Sequence, residues 1–259
     1  MAREIVDALR QERARMMRVP QLGIIVGSND PVTSAYVQLK LRLAAELDIE
    51  VHKEVLDPSV STERAVALVQ EMIRHSDGVV VQLPLPAQID SVQVLSALSP
   101  QYDVDALNPL TKDSERKVIA PVAEAIREIF THFSVDTRGK KAVVVGQGQL
   151  VGKPAAALLR RFGANVTIVT LDTGSLAELK DADIVVLGAG SPGLVKPEML
   201  KNGVVLIDAG TSEQSGKVVG DADPRCAQVA TVFTPVPGGI GPLSIAMLFR
   251  NLFTLIEHK

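Results

Sequence analysis

The feature that most constrains this chain is the succession Lys141-Ala-Val-Val-Val145, then Gly146-Gln-Gly-Gln-Leu-Val-Gly152-Lys-Pro154, then an Ala/Leu-rich stretch. An apolar run of strand length, a glycine loop and a helix in direct order form the opening of a βαβ unit. Such a unit needs a parallel neighbouring strand and a sheet covered on both faces. Further runs at 166–169, 184–187, 204–208 and 229–233 are nearly all apolar, as strands buried on both faces should be. Upstream, β-rich runs at 22–26, 49–56 and 78–83 alternate with helix-period segments near 33–47 and 61–75. The chain of 259 residues, 46% hydrophobic, is long enough for one large domain or two modest ones. Residues 121–133 read as a connecting helix with Ala125, Ile126, Ile129 and Phe130 on one face, closed by Arg138-Gly139. In the last segment, 242–257, Ile245, Leu248, Phe249, Leu252 and Ile256 recur at helical spacing, which predicts a helix returning to the first domain.

Charge narrows the partners. A formal net charge of -3 offers no basic surface for a phosphate backbone, so no nucleic acid is expected, while a helix end can still hold a small anion. The single Cys226 cannot form an internal disulfide, and the first residues lack the apolar core of a secretory signal, so a cytoplasmic protein is expected. There is no uninterrupted run of about 18 apolar residues, and no membrane span is expected. His52, His75, His132 and His258 are scattered without ligand spacing, and no metal site is expected.

The glycine loop carries a chemical signal. Its glycines let the backbone turn sharply and approach a pyrophosphate, while N–H groups of the following helix point at the negative charge. The spacing is G-x-G-x-x-x-G, which also suits a strand-to-helix turn with no ligand. Asp172, beyond the next strand, is placed either to accept from an adenosine ribose or as a solvated residue of Asp172-Thr-Gly174. Gly188-Ala-Gly190 and Asp208-Ala-Gly210-Thr211 follow strands, at the ends where open parallel sheets bind ligands. Pro235-Val-Pro-Gly-Gly-Ile-Gly-Pro242 reads either as a shaped loop bordering a ligand or as a plain helix entry.

Four segments in order resemble the bifunctional methylenetetrahydrofolate dehydrogenase/cyclohydrolases. They are Tyr36-Val-Gln-Leu-Lys40, Val80-Val-Gln-Leu-Pro-Leu-Pro86, Tyr102-Asp-Val-Asp105, and the pair Val144 to Pro154 with Pro235 to Pro242. The resemblance implies a two-domain α/β fold. Residues 1–120 with 241–259 would form an N-terminal folate-binding domain, and 121–240 a Rossmann-like parallel-sheet dinucleotide domain, with a cleft between them. It makes Lys40 the general acid/base of the cyclohydrolase step, hydrogen-bonded by Gln82, with Tyr36 packed on the folate and Asp105 holding the pterin. Leu83, Pro84, Pro237, Gly238 and Gly239 complete the expected substrate contacts. Taken alone, Tyr36 and Lys40 read as a surface i,i+4 pair. The dinucleotide contacts implied are Gly146, Gln147, Gly148, Val151, Gly152, Lys153, Pro154, Leu171, Asp172, Gly190, Thr211 and Gly241.

The sequence departs from the family pattern at informative places. Gln147 and Gly148 stand where Arg-Ser is usual, and Thr170 and Leu171 where His-Ser is usual, both serving the 2'-phosphate of NADP. NADP is therefore the family default, and NAD is favoured by the missing ligands. Pro121-Val-Ala-Glu124 replaces P-C-T-P, and Asp103-Val-Asp-Ala106 replaces D-V-D-G. Two other readings stay open here: another two-domain dehydrogenase, acting on a small hydroxy acid, and a divergent member that binds without turnover. The resemblance also implies a homodimer joined through the dinucleotide domains.

Overall fold

The structure is a computed structural model and describes residues 1–28, 30–112, 114–170, 172–214 and 216–258. It divides into two compact units, Met1–Pro121 with Ile245–Lys259, and Val122–Ser244.

The first unit is built on a three-stranded parallel sheet in the order β2-β1-β3, with β1 at Gln21–Val26, β2 at Glu50–Val55 and β3 at Gly78–Gln82. β3 is buried throughout, whereas β2, Glu-Val-His-Lys-Glu-Val, has the polar composition that tolerates a sheet edge and lies largely exposed there. Helices α2 (Pro31–Glu46) and α3 (Thr62–Ile73) make the two crossovers. Each begins at a side-chain cap, Asp30 accepting from the Thr33 amide and Ser61 from the Arg64 amide. Ala65, Val69 and Met72 of α3 pack into one core with Ile25, Val79 and Val81 of the sheet. The far edge of β3 is covered by a parallel bridge from Val79 to Asp103, in which the Val79 amide donates to the Tyr102 carbonyl at 2.7 Å.

Helix α7 (Ile240–Glu257) supplies the C-terminal piece of this unit, as the apolar spacing predicts. Its Phe249 and Phe253 are fully buried, and the Asn251 amide donates to the carbonyls of Val104 and Ile119. By length and composition it could cross a membrane, but 67% of it is buried, which makes it a core helix. Two helices go beyond the sequence reading, α1 (Ala2–Arg13) and the short α4 (Ser91–Ser96).

The second unit holds a five-stranded parallel sheet in the order β10-β7-β6-β4-β5. Its strands are β4 at Lys141–Val145, β5 at Asn165–Val169, β6 at Ile184–Leu187, β7 at Val204–Asp208 and β10 at Ala230–Thr234. Helix α5 (Pro121–His132) leads in, and α6 (Gly152–Arg161) joins β4 to β5. The later links are not α-helices. Short 3₁₀ helices at Leu176–Asp181 and Pro197–Met199 serve the next two, and a hairpin of β8 (Ser212–Gln214) and β9 (Lys217–Val219) precedes β10. Gly188, Gly190, Pro192, Gly193 and Pro197 break the helical pattern between β6 and β7.

Candidate active site and dinucleotide loop

The residues buried along α2 are Thr33, Val37, Lys40 and Ala44, spaced as one helical stripe. A lysine therefore occupies a position where an apolar side chain would ordinarily sit. The stripe's orientation is fixed at its start, where Asp30 caps the helix, Pro31 opens it and the Ser28 hydroxyl donates to the Asp30 carboxylate at 2.8 Å. Lys40 is only 7% exposed and donates from Nζ to Oε1 of Gln82 at 2.8 Å. Gln82, the last residue of β3 and 9% exposed, commits its Nε2 to the Leu83 carbonyl at 3.0 Å, so its oxygen is the end presented to the lysine. The surface-pair reading of Lys40 is thereby overturned. Tyr36 lies one turn earlier on α2 and is half-buried.

Asp105 arrives by a different route. The bridge to Val79 carries residue 103 along β3, and the Asp103 carboxylate accepts from the amides of Leu107 (3.0 Å) and Asn108 (2.7 Å), folding the segment back on itself. The Arg116 guanidinium donates to the carbonyls of Ala106 (2.7 Å) and Asn108 (3.0 Å) and holds the loop from outside. Asp105 is 9% exposed and close enough to Lys40 for each to feel the other's charge. Burial pushes the Lys40 ammonium below the ordinary lysine range, and the Asp105 carboxylate partly restores it. Burial likewise raises Asp105, with Lys40 opposing. Asp103 and Arg116 were not among the residues singled out from sequence. Their partners are backbone groups, which leave no mark in a side-chain pattern.

In the second unit the strand order reverses at β4, whose neighbours β5 and β6 diverge around the glycine loop. Gly146 has φ +99°, and a Cβ at Gly152 would lie 2.2 Å from the Gly146 carbonyl oxygen, so the loop folds tightly onto the start of α6. The residue preceding α6, Val151, has no side-chain cap, and a Cβ at Gly148 would meet nothing within 4 Å. The Lys153 amide is already given to the Gly148 carbonyl at 3.1 Å and Pro154 has no N–H. A pyrophosphate here would therefore rest on the open approach at Gly148 and on the loop's amides more than on the helix start. Gln147, Gly148 and Lys153 are exposed, and Val151 and Pro154 are half-buried.

Asp172 is exposed in the turn after β5, where its amide donates to the Thr170 hydroxyl at 3.3 Å and the Thr170 and Thr173 hydroxyls bond to each other at 2.8 Å. Leu171 lies outside the described residues. Gly190 follows β6 and Thr211 follows β7, both on the same strand-end side as the glycine loop. Pro237, Gly238 and Gly239 form a turn after β10, closed by the Gly239 amide on the Pro235 carbonyl at 2.7 Å, and Gly241 lies in the first turn of α7. Among the described residues no cluster of His, Cys, Asp or Glu is arranged to hold a metal.

A model of the tetrahydrofolate dehydrogenase/cyclohydrolase catalytic domain matches residues 1–105, and one of that family's NAD(P)-binding domain matches residues 120–259. The bifunctional protein FolD of Thermus thermophilus is 38% identical, over 96% of this chain and 92% of its own length. That of Staphylococcus aureus strain Newman is 36% identical, over 98% and 90%. Among solved structures, the Campylobacter jejuni bifunctional enzyme FolD aligns with a TM-score of 0.89 at 28% identity, covering 100% of this chain and 96% of its own. The Trypanosoma brucei methylenetetrahydrofolate dehydrogenase-cyclohydrolase, complexed with NADP cofactor and an inhibitor, also gives 0.89, at 32% identity over 99% and 95%. With both of its units matched and curated relatives sharing more than a third of its residues, the chain belongs to the tetrahydrofolate dehydrogenase/cyclohydrolase family.

Proposed function

We propose that the protein oxidises 5,10-methylenetetrahydrofolate to the methenyl form with a nicotinamide dinucleotide, and hydrolyses that product to 10-formyltetrahydrofolate. The observation that carries this reading is the buried Lys40, hydrogen-bonded to Gln82 and coupled to Asp105. Residues 1–120 with 241–259 would hold the folate, and 121–240 the dinucleotide. When bound, the nicotinamide ring supplies the hydride acceptor. The glycine loop and the start of α6 hold the pyrophosphate, and Asp105 accepts from the N–H donors of the pterin. In the second step a water oxygen bonds to the methenyl carbon and gives its proton to Lys40 Nζ. Lys40 then returns that proton to the ring nitrogen as the nitrogen's bond to the carbon breaks, while the hydroxyl left on the carbon loses its proton to solvent and becomes the formyl C=O. A lysine whose burial lowers its affinity for the proton can perform both transfers near neutral pH. Tyr36 is assigned to packing against the folate. Mixing enzyme, dinucleotide and methylenetetrahydrofolate should raise the absorbance of reduced nicotinamide while the methenyl band appears and decays. No change at either wavelength would sink the reading.

The finer reading is that NAD serves at least as well as NADP. The usual arginine position is Gln147, the Thr170 hydroxyl is already engaged by Thr173, and Asp172 stands in the turn after β5. An acid facing the ribose repels a 2'-phosphate and accepts from free hydroxyls. Losing a charge-assisted contact should shift preference by about 1 to 3 kcal/mol, roughly tenfold or more. Of the cations on α6, Arg160 lies seven residues beyond Lys153, about 10 Å further along the helix at 1.5 Å per residue. Only Lys153 is therefore near the loop. The test is the ratio of kcat/KM for the two dinucleotides. A strong preference for NADP that disappears in Lys153→Ala would show that this lysine has replaced the arginine. The same reading carries a cytoplasmic homodimer joined through the second unit, which sedimentation of the purified protein tests.

A further inference from the structure

The second unit buries two carboxylates whose partners are backbone amides rather than cations. Asp221 is fully buried and accepts from three successive amides of the loop after β6: Ala189 (2.7 Å) and Gly190 (3.1 Å) on Oδ2, and Ser191 (2.7 Å) on Oδ1. Asp221 is itself held by Asp208, at the end of β7 and 1% exposed. The Asp208 carboxylate accepts from the amides of Gly210 (3.0 Å), Asp221 (3.2 Å) and Ala222 (2.9 Å). Asp208 in turn donates its own amide to the hydroxyl of Thr234, at the end of β10. One chain of hydrogen bonds thus ties the ends of β6, β7 and β10, the side of the sheet where parallel strands receive ligands.

The consequence follows from peptide planarity. In a trans peptide the C=O points opposite to the N–H. With the Gly190 and Ser191 amides turned inward to Asp221, the carbonyls of Ala189 and Gly190, both exposed residues, are turned outward. The loop therefore offers acceptors at the sheet's ligand-binding edge, on the β6 side of the reversal point and away from the Asp172 turn beside β5.

We propose that Asp221 is a positioning residue for the dinucleotide, aiming the carbonyls of Ala189 and Gly190 at hydroxyl or amide donors of its ribose and nicotinamide half. This rests on the function proposed above. Asp221→Asn keeps the size but removes one acceptor oxygen, and it should raise KM and the calorimetric dissociation constant for the dinucleotide about tenfold. KM for methylenetetrahydrofolate, and hydrolysis of methenyltetrahydrofolate without dinucleotide, should stay within about twofold, because neither uses this loop. Gly210→Ala should act alike without changing a charge, since its Cβ would sit 2.2 Å from the Asp221 carboxyl carbon and displace it. Unchanged dinucleotide affinity in both variants, or hydrolysis falling in step with it, would overturn the proposal.

Hydrogen exchange on the wild-type protein keeps the proposal open to refutation even where neither variant folds. The amides of Ala189, Gly190 and Ser191 should be strongly protected although their loop is exposed, and exchange at free-peptide rates overturns the proposal. Failure of the wild type to bind dinucleotide would instead defeat the functional reading and leave that exchange result standing.

Discussion

Lys40 places an amine in a setting that penalises its charge. At 7% exposure its hydrogen bond to Gln82 is to a neutral acceptor, and the compensating charge of Asp105 does not cancel the desolvation. That cost is what makes the residue useful for moving protons, and it also makes the residue dispensable to the fold. Lys40→Ala should lower hydrolysis of methenyltetrahydrofolate by roughly a hundredfold to ten-thousandfold, the usual weight of a general acid/base, with the melting temperature little changed. Undiminished decay of the methenyl absorbance would remove Lys40 from the chemistry. Asp105→Ala should weaken folate binding by about 1.5 to 3 kcal/mol and leave dinucleotide binding untouched, as expected for a carboxylate facing N–H donors. Calorimetry that found equal losses for both ligands would make Asp105 a structural residue. Lys40 and Gln82 sit on regular elements, but spacing alone makes Lys40 a surface partner of Tyr36, and the roles of both came only with the family motifs. Asp105 was legible only through its motif, since the isolated bridge that seats it has no periodicity.

The loop from Asp103 to Asn108 shows what an element without regular structure costs. Ala106 has φ +55°, a left-handed conformation that residues with a Cβ avoid, at the position where the family pattern has glycine. Arg116 bonds the Ala106 carbonyl and Asp103 bonds the following amides, and together they hold the strained residue in place. Ala106→Gly should therefore raise stability by about 1 kcal/mol, the steric relief outweighing the added freedom of the unfolded chain. A melting temperature that falls or does not move would show that the surrounding bonds had already absorbed the strain. The core strands were plain from composition, because strands covered on both faces must be apolar. Helix α1 escaped because only Ile5 and Leu9 are buried in a segment otherwise rich in charge, and β8 and β9 because three residues carry no detectable alternation. Asp208 marked the end of its strand in sequence, but its grip on distant amides was hidden, since every residue offers an amide.

Across the whole molecule, the buried acids should govern how stability varies with pH. Asp103 in the first unit and Asp208 in the second are both raised to about 6, chiefly by burial and against the amides that bond them. An unfolded aspartate titrates near 3.9, so between about pH 4 and pH 6 the folded chain keeps protons that the unfolded chain has released. Stability from these groups is thus fully present below about pH 4 and is lost as pH rises through about 6. Asp30 and Asp183, held low mainly by side-chain hydrogen bonds, act in the opposite sense. Their contribution is present above the unfolded value and is lost as pH falls toward their folded values. Moving from pH 7 to pH 5 takes each raised acid about one unit below its folded value, worth roughly 1.4 kcal/mol apiece. Denaturant melts of wild type, Asp103→Asn and Asp208→Asn at both pH values isolate the two groups, because every other titration is common to the comparison. Each variant should lose its share of the gain on going from pH 7 to pH 5, in the transition of its own unit. If wild type and variants change in parallel between the two pH values, neither aspartate holds its proton in the fold, and both carboxylates are carried ionised by their amides.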